Sequence, residues 1–118
     1  YFAERTADAS RADIVKFCGE MELDLGSNLN KPFHKLSGGM KQKFLIALAF
    51  GRASKAMIFD EPTANLDPSA RERFKTLLHN YAKDKSLIFI SHRLEEVGGL
   101  VKRMICMDLG RIVDDKNV

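Results

Sequence analysis

Apolar residues recur at Ile14, Phe17, Cys18 and Met21, the i, i+3, i+4, i+7 spacing of one helical stripe, so the first twenty or so residues read as helix. Ser10-Arg11-Ala12-Asp13 just ahead of that stripe has the Ser-x-x-Asp form of a capping box. The stretch from Leu25 to Pro32 reads as a loop by its Gly, Asn and Pro content. Helical spacing returns after Ser37 and runs to about Gly51, with Met40, Phe44, Ala47 and Leu48 on the inner face. Ala56-Met57-Ile58-Phe59 is a continuous apolar run that ends in acid, which suits a strand buried on both faces. Asp67-Pro68 starts a third helix, Asp as N-cap and Pro at the first helical position, with Phe74, Leu77, Leu78 and Tyr81 facing inward. Ser86-Leu87-Ile88-Phe89-Ile90 predicts a second buried strand, followed by a short helix from Leu94 to about Leu100. Met104–Met107 and Ile112–Val113 predict two edge strands joined around Gly110. Strands separated by helices make an α/β layer, a mostly parallel sheet flanked by helices.

Composition narrows the class without changing that picture. The 118 residues are 45% hydrophobic and 30% charged, ordinary globular usage that indicates neither disorder nor a fibrous repeat. No apolar run approaches the ~18–20 residues that span a bilayer, and no leader-like start is present, so the expectation is a cytosolic chain. Cys18 and Cys106 are too few for a disulfide framework and lack zinc spacing, which leaves buried free thiols. The net charge of +3 says little, but its distribution says more. Residues 25–59 hold Lys31, Lys35, Lys41, Lys43, Arg52 and Lys55 and no Asp or Glu. A basic stretch followed by a carboxylate pair suits a polyanion held near a metal, though a solvated helix face also explains such lysines.

Three short segments carry chemistry. Ser37-Gly38-Gly39 opens a helix whose first N–H groups lack partners, and glycines let an anion approach them, so this is a natural phosphate site. A Ser-capped helix entry is the plainer alternative. Asp60-Glu61 ends a strand at the sheet's carboxyl edge, where α/β proteins bind ligands. One carboxylate can hold Mg²⁺ while the other faces a nucleophilic water; a solvated strand end is the alternative. His92, just beyond the second strand, can donate a hydrogen bond to a transferred phosphoryl group or serve as a loop or capping residue. All three segments are expected at one edge of one sheet.

In order and approximate spacing, Leu36-Ser37-Gly38-Gly39, Ile58-Phe59-Asp60-Glu61-Pro62-Thr63, Ala64-Asn65-Leu66-Asp67 and Ser91-His92 resemble the ATP-binding-cassette (ABC) ATPases. They look like that family's signature motif, Walker B strand, D-loop and switch histidine. The match covers residues 36–113, and residues 1–35 resemble the end of the family's helical subdomain more loosely. The resemblance implies a partial P-loop NTPase fold, with residues 1–35 closing the helical subdomain and 36–118 forming the carboxyl-terminal part of the ATPase core. It implies that Ser37, Gly38 and Gly39 contact the γ-phosphate of ATP held by the opposite subunit of a head-to-tail dimer. By the same resemblance Asp60 helps bind Mg²⁺, Glu61 is the general base for the attacking water, and His92 holds the γ-phosphate. Asp67 would carry information across the dimer interface.

Two departures qualify the match. Met40 stands where the family usually has Gln or Glu, and no GxxxxGK[ST] occurs, so the loop that cradles the β/γ-phosphates is missing. The chain is therefore expected to be the carboxyl-terminal part of a cassette domain, inactive alone, with Ile58, Phe59, Ile88 and Phe89 partly uncovered and prone to self-association. The function implied is ATP hydrolysis that drives a transporter, with a transmembrane permease subunit as partner and a place at the inner face of the cell membrane. No nucleic-acid partner is expected. The alternative is the carboxyl-terminal lobe of a chromosome-maintenance or DNA-repair ATPase, but residues 1–35 show no sustained heptads. A non-catalytic interaction module is disfavoured by the intact Asp60-Glu61 pair and His92.

Overall fold

The computed structural model describes residues 9–118. Helix α1 spans Arg11–Glu20, and Ser10 caps it as the sequence requires: its Oγ accepts from Asp13 N at 3.1 Å and donates to Asp13 Oδ2 at 2.6 Å. Ile14, Phe17, Cys18 and Met21 are all buried, so the predicted stripe is the real one. The residues before Ala9 in that first helical reading lie outside the described residues.

The expected loop from Leu25 holds one turn of helix, α2, over Leu25–Asn28. Asp24 nucleates it by accepting from Ser27 N at 3.3 Å and Ser27 Oγ at 2.5 Å, a cap strong enough to override the Gly and Asn content. A 3₁₀ turn at Phe33–Lys35 leads into α3, Gly38–Gly51. Ala47 is fully buried on α3 as expected, and Ile46, Phe50 and Gly51 are buried with it; Met40, Phe44 and Leu48 are only partly covered. The shift follows from α1 crossing near the end of α3, where a Cβ on Gly51 would lie 3.2 Å from Ile14 Cγ1.

Strand β1, Ala56–Asp60, pairs in parallel with β2, Ser86–Ile90, from Ala56↔Ser86 to Asp60↔Ile90. The crossover between them carries α4, Pro68–Tyr81, whose Phe74, Leu77 and Leu78 are buried. Phe59 stacks on Phe89 with centroids 5.4 Å apart, and Phe74 meets Phe59 edge-on at 5.2 Å. Phe50, 6.1 Å from Phe59, extends this aromatic cluster to α3, and Phe17, 5.6 Å from Phe50, extends it to α1.

Burial on both faces of the strands is not what forms. Met57 and Phe59 are buried, whereas Ile58 is 66% exposed and Ile88 54%. Strand parity sends alternate residues to opposite faces, and among the described residues no element covers the outer one. The same parity corrects the expectation for Phe59, which is buried in the aromatic cluster; Phe89 is half-buried against it, and Ile58, Ile88 and Ile90 are the exposed residues.

After β2 comes α5, Leu94–Val97, which stops before Gly98 and a left-handed Gly99 instead of reaching Leu100. Strands β3, Arg103–Asp108, and β4, Arg111–Asn117, form an antiparallel hairpin. Leu109 and Gly110 turn it with φ values of 47° and 76°, the positive pair that a two-residue hairpin needs. The predicted edge strands thus pair with each other, not with β1 and β2, and are longer than their apolar cores. A groove of about 930 Å³ separates β2 from β3, lined by Ile88, Ile90, Ile105 and Met107 among others.

The two thiols differ. Cys106 is only half-buried, a correction to the expectation of two buried thiols, because it lies on the open hairpin. Cys18 is fully enclosed, and burial pushes its pKa up to about 11. In the folded chain at pH 8, a thiol-disulfide reagent should therefore titrate one cysteine quickly and the second only after denaturant is added. Rapid reaction of both in the native state would contradict this packing.

Candidate functional site

Ser37 is extended and its Oγ accepts from Met40 N at 3.2 Å, so the hydroxyl serves as the N-cap of α3, the plainer of its two sequence roles. That cap uses one of the helix's free N–H groups; Gly38 and Gly39 N–H have no partner among the described residues and add to the positive end of the helix dipole. A Cβ on Gly39 would lie 3.1 Å from the carbonyl oxygen of Asn65, which explains glycine there: the helix start rests on the turn that follows β1. Gln42 Nε2 reinforces the contact by donating to the Pro62 carbonyl at 2.8 Å.

Asp60 closes β1 with an exposed side chain that has no hydrogen bond or ion pair among the described residues. Glu61 has φ +46°, left-handed for a residue with a Cβ, a conformation that costs about 1–3 kcal/mol and persists where its surroundings enforce it. Its N–H donates to the Ile90 carbonyl at 2.8 Å, and its own carbonyl accepts from Ala64 N at 3.2 Å. Held so, the carboxylate meets the end of β2. Glu61 Oε1 lies 2.6 Å from His92 Nδ1 and accepts from His92 N at 3.3 Å. An ionised Glu61 requires Nδ1 to carry the proton, and only the doubly protonated ring donates from both nitrogens.

Glu61 and His92 are thus brought together, with Asp60 beside them at the carboxyl ends of β1 and β2. The Ser37-Gly38-Gly39 start does not touch them directly; it is linked to them through Asn65 and Pro62. Asp67 caps α4, accepting from Ala70 N at 2.7 Å, and no hydrogen bond joins it to Glu61 or His92. Among the described residues, no group of three His, Cys, Asp or Glu could hold a metal by itself. Mg²⁺ bound with a nucleotide takes few protein ligands and completes its shell with water and phosphate oxygens, so the lone Asp60 carboxylate fits that role.

Thr63 and Glu96 have no role in the sequence reading. Thr63 is buried and its Oγ1 donates to Glu96 Oε2, while Arg93 and Arg71 approach Glu96 Oε1 at 3.1 and 3.4 Å. The Thr63 hydroxyl first, then the Arg93 hydrogen bond and the charges of Arg71 and Arg93, hold the Glu96 pKa below the usual carboxylate range. The Arg93–Glu96 spacing of three was a local signal; the pairing with Thr63, 33 positions away, had none.

Residues 3–97 match a protein family described as "AAA domain, putative AbiEii toxin, Type IV TA system". The chain belongs to this AAA-domain family. Relatives of this AAA-domain chain carry transporter names. It is 39% identical over 106 residues to a Bacillus anthracis protein called "Putative ABC transporter ATP-binding protein", covering 88% of this chain and 18% of that protein. It is 32% identical over 114 residues to Rattus norvegicus "ATP-binding cassette sub-family A member 2", covering 95% of this chain and 5% of that one. The chain therefore spans a small part of the curated relatives it matches. A bacterial Atm1-family ABC exporter solved with ATP bound aligns with a TM-score of 0.78 at 25% identity, over 98% of this chain and 22% of its own. An ATP-binding cassette of an ABC transporter aligns at 0.66 and 24% identity, over 90% and 42%. The fold of the AAA-domain chain is that of ABC ATPase domains.

Proposed function

We propose that this chain supplies the hydrolytic part of an ABC-type ATPase, coupling ATP hydrolysis to movement of a substrate across a membrane. Residues 36–118 are the carboxyl-terminal part of the ATPase core and residues 1–35 the end of its helical subdomain. The observation that carries the reading is the Glu61–His92 pair, 2.6 Å apart at the carboxyl ends of two parallel strands and built on a left-handed Glu61. The transporter names of the relatives support it over a chromosome-maintenance lobe.

Glu61 acts as the general base that orients or deprotonates the attacking water, and His92 holds the γ-phosphate. Mg²⁺, when bound, neutralises charge on the phosphates, and Asp60 is its protein ligand. The amides of Gly38 and Gly39, with Ser37, face the γ-phosphate of ATP carried by a second subunit in a head-to-tail dimer. Asp67 fixes the start of α4 near that interface and passes its state across. A transmembrane subunit is the further partner; no described helix is long and apolar enough to cross a membrane. The test is Mg-ATP turnover by a complete cassette containing these residues, with Glu61 intact or replaced by Gln. Undiminished turnover in the variant would remove Glu61 as the base.

A further inference from the structure

Three segments of the site meet at one carboxylate. Glu96 Oε2 accepts from Thr63, in the turn that follows Glu61; Glu96 Oε1 accepts from Arg93 Nη1 at 3.1 Å, the residue after His92. The same Oε1 lies 3.4 Å from Arg71 Nη1 on α4, and Arg71 Nε donates to the Leu66 carbonyl at 3.1 Å, one residue before Asp67. Both oxygens are thus used, and by donors from three separate elements. The Glu96 side chain is 9% exposed and Thr63 5%, so water competes little for these bonds.

Arg93 is also fixed at its amide, which donates to Ser91 Oγ at 3.0 Å, so the loop bearing His92 is held from both sides. Glu61 is fixed by the hydrogen bond from its N–H to the Ile90 carbonyl and by the turn that Thr63 closes with Leu66, at 3.1 Å from Leu66 N to the Thr63 carbonyl. The left-handed Glu61 needs such support, because its conformation is unfavourable by itself.

We propose that Glu96 is a positioning residue that clamps the Thr63 turn, the His92 loop and the start of α4, and so holds Glu61 against His92. The inference rests on the reading of Glu61 and His92 as base and phosphate-holding histidine. Gln at this position is nearly isosteric but has one oxygen, and its amide nitrogen would face either an arginine or the Thr63 hydroxyl. A carboxylate is required to take donors on both sides.

The test uses the whole 118-residue chain and the ¹⁵N signal of His92 Nδ1 near pH 8, which reports whether that nitrogen carries a proton. Comparison with His92→Gln assigns the signal. The Glu61–His92 contact predicts a wild-type signal at the protonated position, and in Glu61→Ala the signal should move to the unprotonated position. Glu96→Gln should move it at least half of that distance, as should Thr63→Val, while Thr63→Ser keeps the wild-type position. Should Glu96→Gln fail to fold, the two Thr63 variants decide the matter. Arg73→Ala, which breaks a remote ion pair with Glu22, should leave the signal in place. A wild-type signal in folded Glu96→Gln, or an equal shift in Arg73→Ala, would overturn the positioning role. A wild-type signal that already coincides with Glu61→Ala would instead overturn the Glu61–His92 pair itself.

Discussion

Glu61→Gln should lower Mg-ATP turnover of the complete cassette by about 10²–10⁴-fold while leaving nucleotide binding nearly unchanged. Gln keeps the side-chain length and one oxygen within reach of His92 Nδ1, now 2.6 Å from Glu61 Oε1, so the local structure survives the change. What disappears is the negative charge and the ability to take a proton from water. A base acts mainly in the transition state, so the loss falls on kcat and not on affinity. Single-turnover hydrolysis beside an equilibrium binding measurement separates the two. A loss confined to affinity would move Glu61 out of the base role and into nucleotide contact.

Phe74→Ala should destabilise the chain by about 3–5 kcal/mol, a large share of the roughly 5–15 kcal/mol that small domains possess. Phe74 is 2% exposed and sits edge-on to Phe59 at 5.2 Å and to Phe89 at 6.4 Å, so its removal opens a cavity against both strands. Those strands end in Asp60 and His92's loop, so the site should loosen with the core. Ile88→Ala, by contrast, removes a side chain that is 54% exposed and should change stability by no more than about 0.5 kcal/mol. Urea unfolding of the two variants, read as shifts in midpoint at constant slope, checks the contrast. Equal losses would mean that the outer sheet face is covered in solution.

Helices were the most legible part of the sequence because their signal is redundant. In α1, a capping Ser10 and a stripe at positions 14, 17, 18 and 21 agree, and in α4, Asp67, Pro68 and the Phe74, Leu77, Leu78 face agree. Strands were legible in position but not in environment. An all-apolar run such as 56–59 reads the same whether one face or both are covered, since parity is fixed but the neighbours are not. The hairpin shows a related limit: Met104–Met107 and Ile112–Val113 were seen as strands, but an apolar pattern does not say which edge a strand will join.

In the candidate site, local order carried Asp60-Glu61 and His92, because a strand ending in a chemically useful residue is visible in one dimension. That Glu61 Oε1 touches His92, 31 positions away, follows only from the parallel register of β1 and β2. The left-handed backbone at Glu61 left no trace, since nothing there is Gly or Asn. Glu96 escaped notice because its partners Thr63 and Arg71 come from other elements, and a Glu in a short acidic-starting helix looks like ordinary N-terminal charge. Ser37 was legible in both of its possible roles, and its capping bond from Met40 N is present in the folded chain.

As proposed, these residues carry the hydrolytic side of a nucleotide site whose phosphate-cradling loop is not among them. A calorimetric titration of the 118-residue chain with Mg-ATP tests it most directly. No saturable heat is expected up to millimolar nucleotide, because Asp60, Glu61 and His92 act on phosphates that another loop must first hold. Saturable binding with a defined stoichiometry would contradict it and would assign the phosphate cradle to these residues themselves.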